Sequence, residues 1–166
     1  MSIGLALSQG EKPSEESKSL FGLDNVIDIH IWIEQDEWTK LQPPKGTKMD
    51  FDLAIKGVMV DAWTGGHFRS EKSTRPGVAG YLGVDHQYGQ ANLTINGQTI
   101  KGVGLRYKGN GTFFAYVEDD VTRRLSFKID FNEYDDELEF HGLTKINLNN
   151  GSLIREPLSY ELFREA

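Results

Sequence analysis

Asn96-Gly97 sits between two runs in which apolar and polar residues alternate, Ala91 to Ile95 and Gln98 to Lys108. Both residues of the pair accept positive φ, so they close a type I′ turn and make the flanking runs an antiparallel hairpin. Strand-like alternation recurs on either side of it. In Val26 to Ile33, Ile27, Ile29, Ile31 and Ile33 share one face and Asp28, His30 and Trp32 the other. In Arg124 to Phe131, Leu125, Phe127, Ile129 and Phe131 alternate with Ser126, Lys128 and Asp130. A chain patterned in this way is built around an antiparallel sheet.

The rest of the chain adds shorter elements. Glu34 to Leu41 reads as a short helix stopped by Pro43-Pro44. Phe51 to Val60 reads as a second early strand with Gly57 as a possible bulge. Trp63 to Gly89 has little periodicity and reads as a long loop or ragged strands. Asn132 to Glu139 is an acidic turn, and Leu143 to Leu148 a short strand ended by Asn149-Asn150-Gly151. From about Ser152 the pattern turns helical, with Leu158, Leu162 and Phe163 on one face and Pro157 in the first turn. The expected fold class is α+β: a mostly antiparallel sheet with a C-terminal helix and a short early one.

At 166 residues the chain is long enough for one domain with its own core. Residues 1–25 read as a disordered or targeting-like tail, with an apolar run, Ile3 to Leu7, that lacks a basic flank. Residues 26–166 form the domain. A net charge of −7 argues against an extended nucleic-acid footprint, so any anion site must be a local cluster of bases. The chain has no cysteine, which excludes disulfides, thiolate chemistry and cysteine zinc sites. No stretch is long enough to span a membrane as a helix. The histidines, His30, His67, His86 and His141, lie far apart without ligand spacing. Asp119, Asp120, Asp135 and Asp136 fall in turns, where aspartate is favoured for backbone reasons. The expected metal-ligand set in this chain is therefore none.

One ordered constellation suggests chemistry. Arg106-Tyr-Lys-Gly-Asn-Gly-Thr112 offers a glycine loop, with Gly109 and Gly111 allowing close backbone approach to phosphates. Lys128 follows in mid-strand, and Glu156 near a helix start. Phosphoryl transfer needs such a loop, a cation near the phosphates and a carboxylate to hold that cation. Each residue also has a plainer role: glycines serve turns, strand lysines are solvated, and a carboxylate complements a helix N-terminus. The order of loop, lysine and glutamate is that of a protein-kinase small lobe.

Four blocks carry a more specific resemblance: Arg106-Tyr-Lys-Gly-Asn, Ser126-Phe-Lys-Ile-Asp-Phe, Gly142-Leu-Thr-Lys-Ile-Asn-Leu-Asn-Asn, and Arg155-Glu-Pro-Leu-Ser-Tyr-Glu-Leu-Phe-Arg-Glu-Ala. The chain from Val26 on, most clearly from Gly104, resembles the CotH kinases, atypical protein kinases named for a bacterial spore coat protein. The resemblance implies ATP, a divalent metal (Mg or Mn), and Ser/Thr phosphorylation of a protein substrate. It also implies an extracellular or spore- or cell-surface location. Carried over, Lys128 is the phosphate-contacting lysine and Glu156 its partner, as the catalytic pair. Arg106, Lys108, Gly109, Asn110 and Gly111 lie near the nucleotide phosphates. Asn147, Asn149 and Asn150 match a family block and also read as turn formers, and the role of Arg155 stays open. Pro157 departs from the basic residue usual there. The family's catalytic and metal-binding acids are expected beyond Ala166, in a C-terminal lobe of the same protein, so this stretch alone is expected to be inactive.

Two other readings stand beside it. One is a non-enzymatic β-rich structural or interaction domain. The other is a carbohydrate-binding β-sandwich, resting on tryptophans such as Trp63.

Overall fold

The computed structural model describes residues 2–4, 15–20, 25–43, 51–65, 85–109 and 125–149. Among these, six strands form one sheet: β1 (Ser2–Gly4), β2 (Ile29–Ile33), β3 (Gly89–Ile95), β4 (Gln98–Lys108), β5 (Ser126–Asp130) and β6 (Lys145–Asn149). Their order across the sheet is β1-β6-β5-β4-β3-β2. The pairings β1–β6, β2–β3, β3–β4 and β5–β6 are antiparallel. Three helices accompany them, α1 (Glu15–Leu20), α2 (Gln35–Leu41) and α3 (Phe51–Thr64). The fold class is α+β with an antiparallel sheet. No helix among the described residues is long and apolar enough to cross a membrane.

The chain divides into two compact units. The first comprises Met1–Gln42, Tyr88–Tyr107 and Ser126–Ala166, and holds the sheet. The second comprises Pro43–Gln87 and Lys108–Leu125.

The first unit is organised by the alternation seen in the sequence. Ala91, Leu93, Ile95, Val103, Leu105, Tyr107, Ile129, Ile146 and Leu148 are all buried. Alternate residues of a strand share a face, so these make one apolar side of the sheet. α2 lies against it through Trp38, whose ring meets those of Tyr107 at 6.2 Å and Phe127 at 6.4 Å. Tyr107 and Phe127 stack at 4.8 Å. Gly89 gives α2 its seat, since a Cβ there would lie 2.8 Å from the Glu37 carbonyl oxygen. Glu37 ties the same junction by accepting from the Gln90 amide at 2.8 Å.

The hairpin forms as the sequence predicts, with φ of 46° at Asn96 and 86° at Gly97. A second tight turn, His141-Gly142 (φ 51° and 76°), was not foreseen. It is closed by reciprocal Phe140 and Leu143 backbone bonds of 2.9 Å. Gly102 (φ 75°) marks an irregularity where Ala91 pairs Val103 but Leu93 pairs Ile100.

Three expectations need revision. Phe51 to Val60 is not a strand but most of α3, which runs on to Thr64. Phe51, Leu53 and Ile55 alternate, yet Ile55, Met59 and Trp63 also recur at helical spacing. Ala54, Lys56, Met59 and Ala62 are good helix formers. Gly57 is a buried helical residue, not a bulge. Within residues 1–25, expected to lack structure, Ser2–Gly4 pairs with β6 and Glu15–Leu20 is helical. Glu16 meets His141 Nδ1 at 2.9 Å. Finally, Asn147 and Asn149 are strand residues of β6, not turn formers. The helix expected from Ser152 lies outside the described residues.

Candidate functional site

The opposite side of the first unit's sheet carries the polar positions, and near its β4–β5–β6 end they concentrate charge. Lys128 and Asp130 are two apart on β5 and therefore share this face. The antiparallel register sets Lys145 of β6 directly across from Asp130, and Asn147 across from Lys128. On β4 the alternation that buries Leu105 and Tyr107 in the core gives Gly104 and Arg106 to this side. Tyr88, just ahead of β3, reaches over it.

Asp130 is the centre. Only 4% of it is exposed. Its Oδ2 accepts from the Tyr88 hydroxyl at 3.0 Å, lies 3.2 Å from Lys128 Nζ and 3.7 Å from Lys145 Nζ. Its Oδ1 is buried with no hydrogen-bond partner among the described residues. Arg106, 8% exposed, stacks its guanidinium 5.2 Å from the centre of the Tyr88 ring and donates to the Tyr107 carbonyl at 3.0 Å. Gly104 is what lets Tyr88 and Glu133 lie so close to the sheet. A Cβ there would meet Glu133 Cβ at 2.6 Å and Tyr88 Cδ1 at 2.9 Å.

The titration of these groups follows from their burial. Desolvation pulls the Lys128 ammonium below its ordinary range, opposed by Asp130 and reinforced by Arg106 and Lys145. Burial pushes Tyr88 up to about 12, with Arg106 opposing the shift and Asp130 adding to it. Glu133 is raised, first by desolvation and then by Asp130, while Lys128, Arg106 and Lys145 pull it back. Two ammoniums thus flank one buried carboxylate, a third cation, Arg106, lies over the Tyr88 ring, and the exposed Glu133 sits at the rim. Such a surplus of fixed positive charge suits an anion.

The sequence-predicted site residues meet this geometry unevenly. Arg106 and Lys128 belong to the cluster. Lys108 ends β4 and falls in the second unit, as does Gly109 (φ 94°), whose carbonyl lies 3.0 Å from His86 Nε2. Asn110, Gly111 and Glu156 lie outside the described residues. Among the described residues the carboxylate next to Lys128 is Asp130. Sequence reasoning placed Asp130 on the face of Lys128 but gave it no role, and it missed Tyr88, Glu133 and Lys145. Two-residue spacing could have flagged Asp130. Lys145 needed the β5–β6 register, and Tyr88 gave no signal.

Among the described residues no group of three or more His, Asp or Glu side chains could hold a metal ion. The acids at 135 and 136 sit in a turn, where Asp135 accepts from the Glu137 and Leu138 amides at 3.2 and 3.0 Å. Comparison of the chain with protein-family models, with curated proteins and with solved structures finds no match.

Proposed function

We propose that this chain is the nucleotide-phosphate-binding part of a CotH-like atypical protein kinase, with ATP as donor and Ser/Thr of a protein as acceptor. The observation that supports this best is Lys128, a strand lysine drawn partly out of water, held by a carboxylate and flanked by Arg106 and Lys145. A cation in that state is short of solvent partners and favours an anionic oxygen. The donor set suits phosphate groups: Lys128 and Lys145 are the ammoniums able to reach them, and Arg106 adds charge from beneath. The nucleotide would supply the phosphoryl group. These residues would orient and neutralise it.

The same donor set does not suit a divalent cation. Asp130 is already surrounded by positive charge, so a metal ion beside it would be repelled. In this reading the metal's ligands lie elsewhere.

Titrating ATP, and separately pyrophosphate, into the chain by calorimetry tests the proposal. Loss of one charge-assisted contact in Lys128→Ala should weaken both by about tenfold or more. Equal affinity in the variant would overturn it.

A second reading, a non-enzymatic interaction domain, is favoured by one fact: Tyr88, Lys128 and Lys145 all converge on Asp130, so the cluster supplies its own counter-charges. A network that is purely structural would bind neither anion at millimolar concentration.

A further inference from the structure

Asp130 stands out because its arrangement makes poor sense as a device for stability. A buried carboxylate is costly to desolvate, and a network that served only stability would satisfy both oxygens. Here, among the described residues, Oδ2 is crowded by three groups while Oδ1 has none. The two ammoniums also differ. Lys128 Nζ is at hydrogen-bond distance, 3.2 Å, and its side chain is 19% exposed. Lys145 Nζ is at 3.7 Å, too far for a good hydrogen bond, and its side chain is 35% exposed. Lys145 is therefore drawn toward Asp130 by charge while its N–H donors stay uncommitted to that carboxylate.

We propose that Asp130 is a positioning residue that fixes Lys128 and Lys145 side by side on the sheet, and that Lys145 is a second ammonium contacting the bound anion. This rests on the phosphate-binding reading above and deepens it. The ligand class it names is a diphosphate unit, whose neighbouring anionic groups match two cations presented from adjacent strands. The unpartnered Oδ1 gives the arrangement room to adjust, because an ammonium displaced by the ligand can move to the second oxygen without leaving its counter-ion. Asp130 also opposes the desolvation of Lys128, and so helps keep that lysine protonated.

The test uses the whole chain with 13C-labelled lysine, followed by NMR, with pyrophosphate as the probe. On adding pyrophosphate, the Lys128 and Lys145 side-chain signals should both shift. Those of Lys40, paired with Glu37 on α2, should not. Lys145→Ala should weaken binding about tenfold, as expected for one charge-assisted contact. Asp130→Asn keeps the shape and removes the charge. In it Lys128 should titrate at lower pH than in the wild type, and the alkaline limb of pyrophosphate binding should move the same way.

If Lys128 responds to pyrophosphate while Lys145 is silent and Lys145→Ala binds normally, the role of Lys145 is wrong and the phosphate reading survives. An unmoved Lys128 titration in Asp130→Asn overturns the role of Asp130. If that variant does not fold, the wild-type spectra decide: Lys128 and Lys145 must shift together as pyrophosphate is added, and independent responses refute their coupling. No binding of pyrophosphate, or binding that leaves Lys128 unperturbed, overturns both this inference and the reading beneath it.

Discussion

The two faces of the first unit's sheet solve opposite problems. On one, Leu93, Val103, Leu105, Tyr107 and Ile129 are buried against apolar neighbours and the ring of Trp38. Every contact there adds to stability, at roughly 25 cal/mol for each Å² of apolar surface removed from water. On the other, Arg106 and Asp130 are as hidden as core residues, yet they carry charge. Burying paired ions returns little and often costs stability compared with apolar side chains of the same size. A protein keeps such a cluster when the charge is used. The costly face is therefore the one to search for function, and the inexpensive one is the platform that makes its geometry fixed.

If that division holds, perturbing each face should give a different signature. The largest effect belongs to the apolar side. Ile129→Ala removes a fully buried side chain from the middle of β5 and should cost about 2–5 kcal/mol in denaturant unfolding. Anion affinity per folded molecule should be little changed. A large loss of affinity would show that the faces are not separable.

Gly104→Ala probes the charged side at its tightest point. The new methyl would press on Glu133 and on the Tyr88 ring, and neither contact is with the free end of a flexible chain. A loss of roughly 1–3 kcal/mol is expected, with the Tyr88–Asp130 hydrogen bond disturbed. A neutral result by thermal melting would mean that this rim is looser than described.

A smaller effect comes from pH. Tyr88 titrates at about 12 in the fold and near 10 as an ordinary tyrosine. Its neutral form is thus the one the fold favours. That contribution is complete below pH 10 and is lost as pH rises towards 12. The melting temperature of the wild type should therefore fall more steeply across that window than that of Tyr88→Phe. Parallel curves would remove Tyr88 from the buried network.

Much of the platform could be read directly from the chain, because period-two alternation and Asn96-Gly97 are local signals. β2, β3, β4, β5 and β6 follow from them, and α2 from the Pro43-Pro44 stop that ends it. α3 was misread because Phe51, Leu53 and Ile55 satisfy the strand period over a short window, and its helical repeat becomes evident only on continuing to Trp63. The charged face was half legible. Lys128 and Asp130 declare their shared side by spacing alone. Tyr88 lies 42 positions from Asp130, and Lys145 meets it only through strand register, so neither link exists before the sheet does. The residues that most alter the view of Lys128 are those that local pattern cannot reach.

The central claim is that the charged face exists to hold phosphate. It is tested most directly by calorimetric titration of ATP into the wild type and Lys128→Ala under identical low-salt conditions. The account predicts saturable binding in the wild type, weakened about tenfold or more per folded molecule in the variant, which should itself melt lower because Asp130 loses its nearest cation. Equal affinity in the two proteins, or no binding to either, would contradict it.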